Sequence, residues 1–169
     1  MPESLFRVAP ERPEDAAAID KLHEFAFGPG RFARTAYRMR EGVPAIEALS
    51  FAAWTQDRLI GSVRFFPVAL AGHAGLMLGP LVVDPAWKGR GVGLKLMQAG
   101  LEAARGLGRD WVILVGDEPY YARAGFRRVA EEQIRLPGPV DPARLLALEL
   151  RAGALDGLSG VLTPVRNGA

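Results

Sequence analysis

At 169 residues, 49% hydrophobic and 24% charged, the chain has an ordinary globular balance and the length for one domain, expected over 1–169. A formal charge of +2 gives no bulk electrostatic reason to expect nucleic acid or an anionic membrane, and the absence of cysteine excludes disulfides and a cysteine nucleophile. No window approaches the roughly 20 apolar residues of a membrane span and the first residues lack a signal-peptide core, so the expectation is a cytoplasmic protein.

In chain order, "SLFRV" (4–8) reads as a first strand. Residues 13–27 read as a helix: Pro13 suits a first turn, Glu14 and Asp15 favour its dipole, and Ile19, Leu22 and Phe25 or Ala26 recur at helical spacing. Gly28, Pro29 and Gly30 end it, and a second short helix is expected over 31–40. Runs 48–54 and 59–70 read as a hairpin, and after the turn 71–75 a third strand, 76–84, completes an antiparallel meander. The pattern then changes. Residues 93–107 set Leu94, Met97, Leu101 and Ala104 on one helical face, Gly106 and Gly108 stop it, and "WVILVG" (111–116) reads as a buried strand. A strand, a crossover of roughly 20 residues and another strand make a βαβ unit, so 76–84 and 111–116 should be parallel neighbours in a mixed sheet. Residues 118–126 give a short helix and turn, and 127–136 and 145–151 read as outer strands. The Gly-rich end is too irregular to assign.

At the junction of that βαβ unit, "KGRGVGL" (88–94) carries the chemistry. Gly89, Gly91 and Gly93 let a backbone approach an anion closely, and the helix that follows aims free N–H groups and its positive dipole end at the same place. That is what a pyrophosphate needs. The dinucleotide pattern G-x-G-x-x-G fails, because Leu94 and Leu96 occupy the sixth positions, and the P-loop ending Gly-Lys-Ser/Thr is absent.

The segment Lys88-Gly89-Arg90-Gly91-Val92-Gly93 instead resembles the Gln/Arg-x-x-Gly-x-Gly/Ala signature of the GNAT N-acetyltransferase superfamily, with Lys for the usual first residue. The likeness extends to "LGPLVVDPAWKGRGVGLKLM", to "YYARAGF", a Y-x-x-x-G-F element, and to the order of elements. "GPLVVDP" and "VGDEPYYARAGF" are similar to a group of small bacterial predicted N-acetyltransferases. The resemblance implies an α+β fold whose mixed central sheet has splayed parallel central strands flanked by helices. It implies acetyl-CoA as co-substrate, its pyrophosphate on residues 88–94, mainly through backbone amides, and its pantetheine arm along Leu81, Val82 and Val83.

Pro80 fits this: proline disfavours a central strand unless the strand is bulged or one side is unpaired. Transfer to an amine also needs a proton for the departing thiolate, and a tyrosine, which holds its proton at neutral pH, can supply it. Tyr121 stands four residues before Gly125, where many relatives place this acid; Tyr120 is the adjacent alternative, and a packing aromatic the structural one. By the same resemblance the backbone of Val83 would face the developing oxyanion. The frequent Asn seven residues before the tyrosine is Leu114 here, and no acid in "LMLGPLVV" supplies a base; Asp117 and Glu118 are candidates by position, equally suited to capping the next helix.

Arg31, Arg34 and Arg38 share a helical face, read as solvated unless an acidic substrate group meets them. Arg64 sits on a strand that borders the acceptor pocket in this superfamily, or points outward. His23 and His73 have no metal-ligand spacing, so no metal is expected. The reading is an acetyl-CoA-dependent N-acetyltransferase acting on a small-molecule or peptide amine by direct attack in a ternary complex, with a homodimer as a family-level expectation. The missing Asn and unassigned base keep a second reading open, a catalytically silent CoA-binding module that regulates a partner.

Overall fold

In a computed structural model, residues 5–27, 35–130 and 132–166 are described. Ten strands are seen among them: β1 (Arg7–Pro10), β2 (Phe51–Thr55), β3 (Arg58–Leu70), β4 (His73–Val83), β5 (Trp111–Val115), β6 (Arg127–Arg128), β7 (Ile134–Arg135), β8 (Leu145–Glu149), β9 (Gly160–Val161) and β10 (Thr163–Pro164). The helices are α1 (Ala16–Phe27), α2 (Thr35–Arg40), α3 (Val92–Gly106) and α4 (Glu118–Tyr121). The main sheet runs β1-β2-β3-β4-β5-β8-β6, with β10 also pairing β3, while β7 and β9 form a small parallel pair. No helix among the described residues is long and apolar enough to cross a membrane.

The meander of β2, β3 and β4 and the parallel β4–β5 contact are as the sequence leads one to expect. Its second turn is tighter than the expected 71–75. Leu70 pairs with His73, and Ala71 and Gly72 take φ of 50° and 81°, the two-residue turn whose twist suits antiparallel strands. The first strand lies at 7–10 rather than 4–8, paired to β2 from Arg7↔Trp54 to Pro10↔Phe51. The predicted outer strand 127–136 is corrected most. It divides into β6, which pairs β8, and β7, which pairs β9, and Glu132 at φ 63° turns the chain between them. The expected strand 145–151 is β8, lying between β5 and β6 and antiparallel to both.

Sheet and α3 enclose the larger core, with Val63 and Phe65 of β3, Leu76 and Leu78 of β4 and Val112 and Leu114 of β5 packed with Leu96, Met97 and Leu101. Gly100 makes room on α3 for the Phe65 ring, and Gly61 on β3 admits Val92 and Leu96, so helix and sheet approach closely. The opposite face carries a second cluster around Met39, Met77, Trp111 and Ile113.

Two irregularities shape the middle of the sheet. Opposite Arg64 of β3 stand two residues of β4, Gly79 and Pro80, because Val63 pairs with Leu81 and Phe65 with Leu78. The insertion is a bulge, and it accommodates a proline that has no N–H for the ladder. Beside it, β4 and β5 pair only at Leu76↔Val112 and Met77↔Ile113. Beyond that point β5 continues against β8 and β4 against β3, so the two parallel strands part. Pro80 satisfies both conditions that make proline tolerable in a central strand.

Candidate active site

Strand parity determines what the parted strands expose. Asp84 N–H donates to Ile60 C=O at 2.8 Å, so Asp84 faces β3. Successive backbone groups alternate in direction, hence Val82 also faces β3, whereas the N–H and C=O of Leu81 and Val83 point toward β5. Since β4 and β5 no longer pair there, Leu81 and Val83 present unpaired backbone groups to the gap.

At the far end of β4, Asp84 fastens the chain: its side chain accepts from Ala86 N–H at 2.9 Å and from Arg58 at 2.7 Å. After the 3-10 turn Pro85–Trp87 come Gly89 at φ 78° and Gly91 at φ 84°, the left-handed conformation that glycine adopts without steric cost. A Cβ at either would have open space around it, so the turn is not packed against protein. Gly91 is the N-cap of α3 and supplies no side chain to the first-turn N–H groups, which leaves those donors free. Lys88 and Arg90 are exposed, and the Arg90 guanidinium lies 4.8 Å from the Trp87 ring centroid. Val92, Gly93 and Leu94 form the first helical turn. A Cβ on Gly93 would collide with the Tyr120 hydroxyl.

On the other side of the gap opens a cleft of about 1330 Å³. Its walls include Leu78–Leu81 of β4, Val115 at the end of β5 with Gly116 and Asp117 after it, Tyr120 and Tyr121, and residues of β3, α1 and α2. The glycine turn stands outside it. Tyr121 packs on Gly116, where any side chain would strike its ring, and meets Phe126 edge-on at 6.2 Å and Tyr120 at 5.0 Å. Neither Tyr120 nor Tyr121 makes a hydroxyl hydrogen bond among the described residues. Burial pushes the Tyr121 phenol up to about 12, with Tyr120 and Asp117 adding to the rise and Arg144 opposing it; burial also raises Tyr120.

Arg64 does border the cleft, but it is held there: its guanidinium donates to both carboxylate oxygens of Glu11 at 2.9 and 3.2 Å. Asp117 pairs with Arg144 and Glu118 with Arg128, so the two acids proposed by position are engaged, and only Asp117 lines the cleft. Leu114 is buried under α3 and replaces the expected Asn with core packing. Of the arginine trio, Arg31 and Arg34 lie outside the described residues, and Arg38 is exposed away from the cleft wall. His23 lines the cleft and His73 is at the β3–β4 turn; no group of three metal-ligating side chains occurs among the described residues.

The sequence reading missed Arg40. Its guanidinium is 5.9 Å from the Tyr37 ring centroid and 5.8 Å from that of Phe66, on the cleft wall beside the β4 bulge. Tyr37 at i−3 is the signal that distinguishes Arg40 from Arg38, but its partial burial comes from tertiary packing.

Residues 47–128 match the family model of the acetyltransferase (GNAT) domain. The uncharacterized N-acetyltransferase YhbS of Escherichia coli strain K12 is 30% identical over 155 residues, 90% of this chain and 92% of that one. The crystal structure of Escherichia coli YhbS in complex with CoA superposes with a TM-score of 0.83 at 27% identity, covering 98% of this chain and 92% of that one. A GNAT family acetyltransferase from Brucella melitensis, solved with acetyl-CoA, gives a TM-score of 0.63 at 32% identity over 89% of this chain and 98% of its own.

Proposed function

The chain belongs to the GNAT acetyltransferase family and is an N-acetyltransferase, and on that premise we propose that it moves an acetyl group from acetyl-CoA to a primary amine of a small molecule or peptide by direct attack in a ternary complex. The observation that carries this reading is the continuous path from the open glycine turn, along the unpaired β4 edge, to the cleft at Tyr121.

Acetyl-CoA, when bound, supplies the acyl group as a thioester. Residues 88–94 would hold its pyrophosphate: the turn at Gly89 and Gly91 leaves space for oxygens, and the first-turn N–H groups of Val92, Gly93 and Leu94 have no side-chain cap to compete with them. Lys88 and Arg90 add charge from the exposed side, while the backbone provides the directed contacts.

Leu81 and Val83 would pair with the pantetheine arm through the backbone groups aimed into the gap, and Val82 fixes their direction by its own pairing with β3. Of the two free N–H donors, Leu81 lines the cleft and Val83 lies nearer the glycine turn. Leu81 is therefore the better placed to stabilise the developing oxyanion, two residues before the Val83 expected by resemblance.

Tyr121 would give its proton to the leaving sulfur. A phenol at about 12 stays protonated throughout the physiological range, and its hydroxyl is not committed to another partner. Tyr120 has the adjacent position and also lines the cleft, but its hydroxyl stands against Gly93 at the start of α3, beside the cofactor loop. The attacking amine enters from the α1 and α2 side and must shed a proton, which leaves through the polar cleft. With no cysteine in the chain, a covalent acyl-thioester route has no carrier.

The test is a continuous thiol-release assay with acetyl-CoA and a panel of amines and peptides, with product masses recorded. Amine-dependent release with a gain of one acetyl group is expected. CoA binding with no release across the panel would overturn the transfer and favour the silent regulatory module.

A further inference from the structure

Among the described residues, four arginines stand on the cleft wall, and three of them have carboxylate partners: Arg12 with Asp15, Arg64 with Glu11 and Arg144 with Asp117. Arg40 has none. Its guanidinium makes no hydrogen bond or ion pair among the described residues, and only the Tyr37 and Phe66 rings face it as partners. Arg40 is half-buried, and holding a cation partly away from water without an anion is costly: burial lowers its pKa to about 10, opposed by Tyr37 but by no carboxylate. A packing role would be served as well by methionine or leucine. An arginine left unpaired in the wall of a reaction cleft is suited to an anion that arrives with the ligand.

Its place narrows which anion. A Cβ at Gly79 would sit 3.0 Å from Arg40 Nη1, so the guanidinium lies against the β4 bulge. Leu81, whose N–H faces the reacting carbonyl in the proposed mechanism, is two residues further along. Two residues of extended chain span at most about 7 Å. A carboxylate on the carbon that bears the amine, or on the next one, bridges that distance; a long diamine or an amine with a remote acid does not. Carboxylates also match the planar guanidinium fork by paired hydrogen bonds. The rest of the wall disfavours a multiply charged anion such as a phosphate, because Asp20, Glu24 and Glu47 line the same cleft without ion pairs among the described residues.

We propose that the acceptor is a short-spaced amino acid, an amine with a carboxylate on the same or the neighbouring carbon, and that Arg40 binds this carboxylate and so sets the specificity. The inference rests on the acetyltransferase reading. In the reaction the amine nitrogen forms the new N–C bond, the C–S bond of the thioester breaks, one ammonium proton leaves for solvent and the amine's second lost proton follows on collapse of the adduct, while the thiolate is protonated. The carboxylate takes no part in bond making and remains on Arg40.

The experiment uses the full chain and pairs each amino acid with its carboxamide, both α- and β-amino acids, in the thiol-release assay. Wild type and Arg40→Met are compared, with CoA affinity measured by calorimetry. Wild type should favour the acid member of at least one pair by about 100-fold in kcat/KM, because the amide leaves the half-buried guanidinium without its anion. Arg40→Met should shrink that ratio to a few-fold, mainly through KM, with CoA affinity unchanged, and Arg40→Lys should restore part of it. Equal or better turnover of the carboxamides by wild type overturns the inference while leaving the acetyltransferase reading in place. So does an Arg40→Met variant that slows acids and amides alike, which would put Arg40 at the thioester instead. CoA binding with no thiol released by any amine removes both.

Discussion

Replacing Tyr121 with phenylalanine removes a single oxygen and tests its proposed role in two independent ways. Burial places the folded phenol at about 12 against an ordinary 10. Its pKa is thus higher folded than unfolded, so the neutral phenol's contribution to stability is fully present below pH 10 and is lost as pH rises toward 12. Two units correspond to about 3 kcal/mol over the whole window, and about half of it is gone by pH 11. Urea unfolding at steps from pH 8 to pH 11 should show wild type losing that much more than Tyr121→Phe; the comparison cancels groups not coupled to Tyr121, Arg40 among them. In turnover, loss of the proton donor should lower kcat about 100-fold with CoA affinity unchanged. Wild-type kcat should show no alkaline limb from this residue up to pH 10. A variant with kcat within a few-fold of wild type refutes the acid role, and parallel stability curves for the two proteins refute the perturbed phenol.

Three further substitutions probe the frame around the site. Gly91→Val places a β-branched residue at φ 84°, costing about 1–2 kcal/mol of stability, and should weaken CoA binding at least tenfold by calorimetry; retained affinity would count against the cradle. Gly100→Ala drives a methyl group into the Phe65 ring and should destabilise by about 1–3 kcal/mol in urea unfolding, whereas an unchanged midpoint would contradict the close approach of α3 to β3. Ser62 Oγ is buried without a hydrogen-bond partner among the described residues, so Ser62→Ala should leave stability unchanged or raise it by up to about 1 kcal/mol, and a loss of that size would reveal a partner for the hydroxyl.

The parts of the molecule legible in the sequence are those where local chemistry decides. The run 88–94 has glycines at the φ-positive positions and a periodic helix directly after them, so an open glycine turn leading into a helix could be read from spacing alone. Pro80 announced a bulge or an unpaired edge, since either one is required to seat it, and both occur. What stayed hidden depends on contacts between distant segments. The division of 127–136 follows from the insertion of β8 between β5 and β6, which no periodicity in 127–136 encodes. Arg64 was visible as a strand arginine, but its capture by Glu11, 53 residues earlier, was not. Arg40 looked like one more cation in an arginine-rich helix until Phe66 and Gly79 were brought beside it.

Backbone amide exchange across β4 reads out the gap between β4 and β5, where the acyl-CoA arm is proposed to lie. Saturating acetyl-CoA should slow hydrogen exchange at Leu81 and Val83, whose N–H groups face the gap, and leave Val82, already paired with β3, nearly unchanged. Protection spread evenly over all three, or none at Leu81 and Val83 despite saturated binding, would contradict that placement.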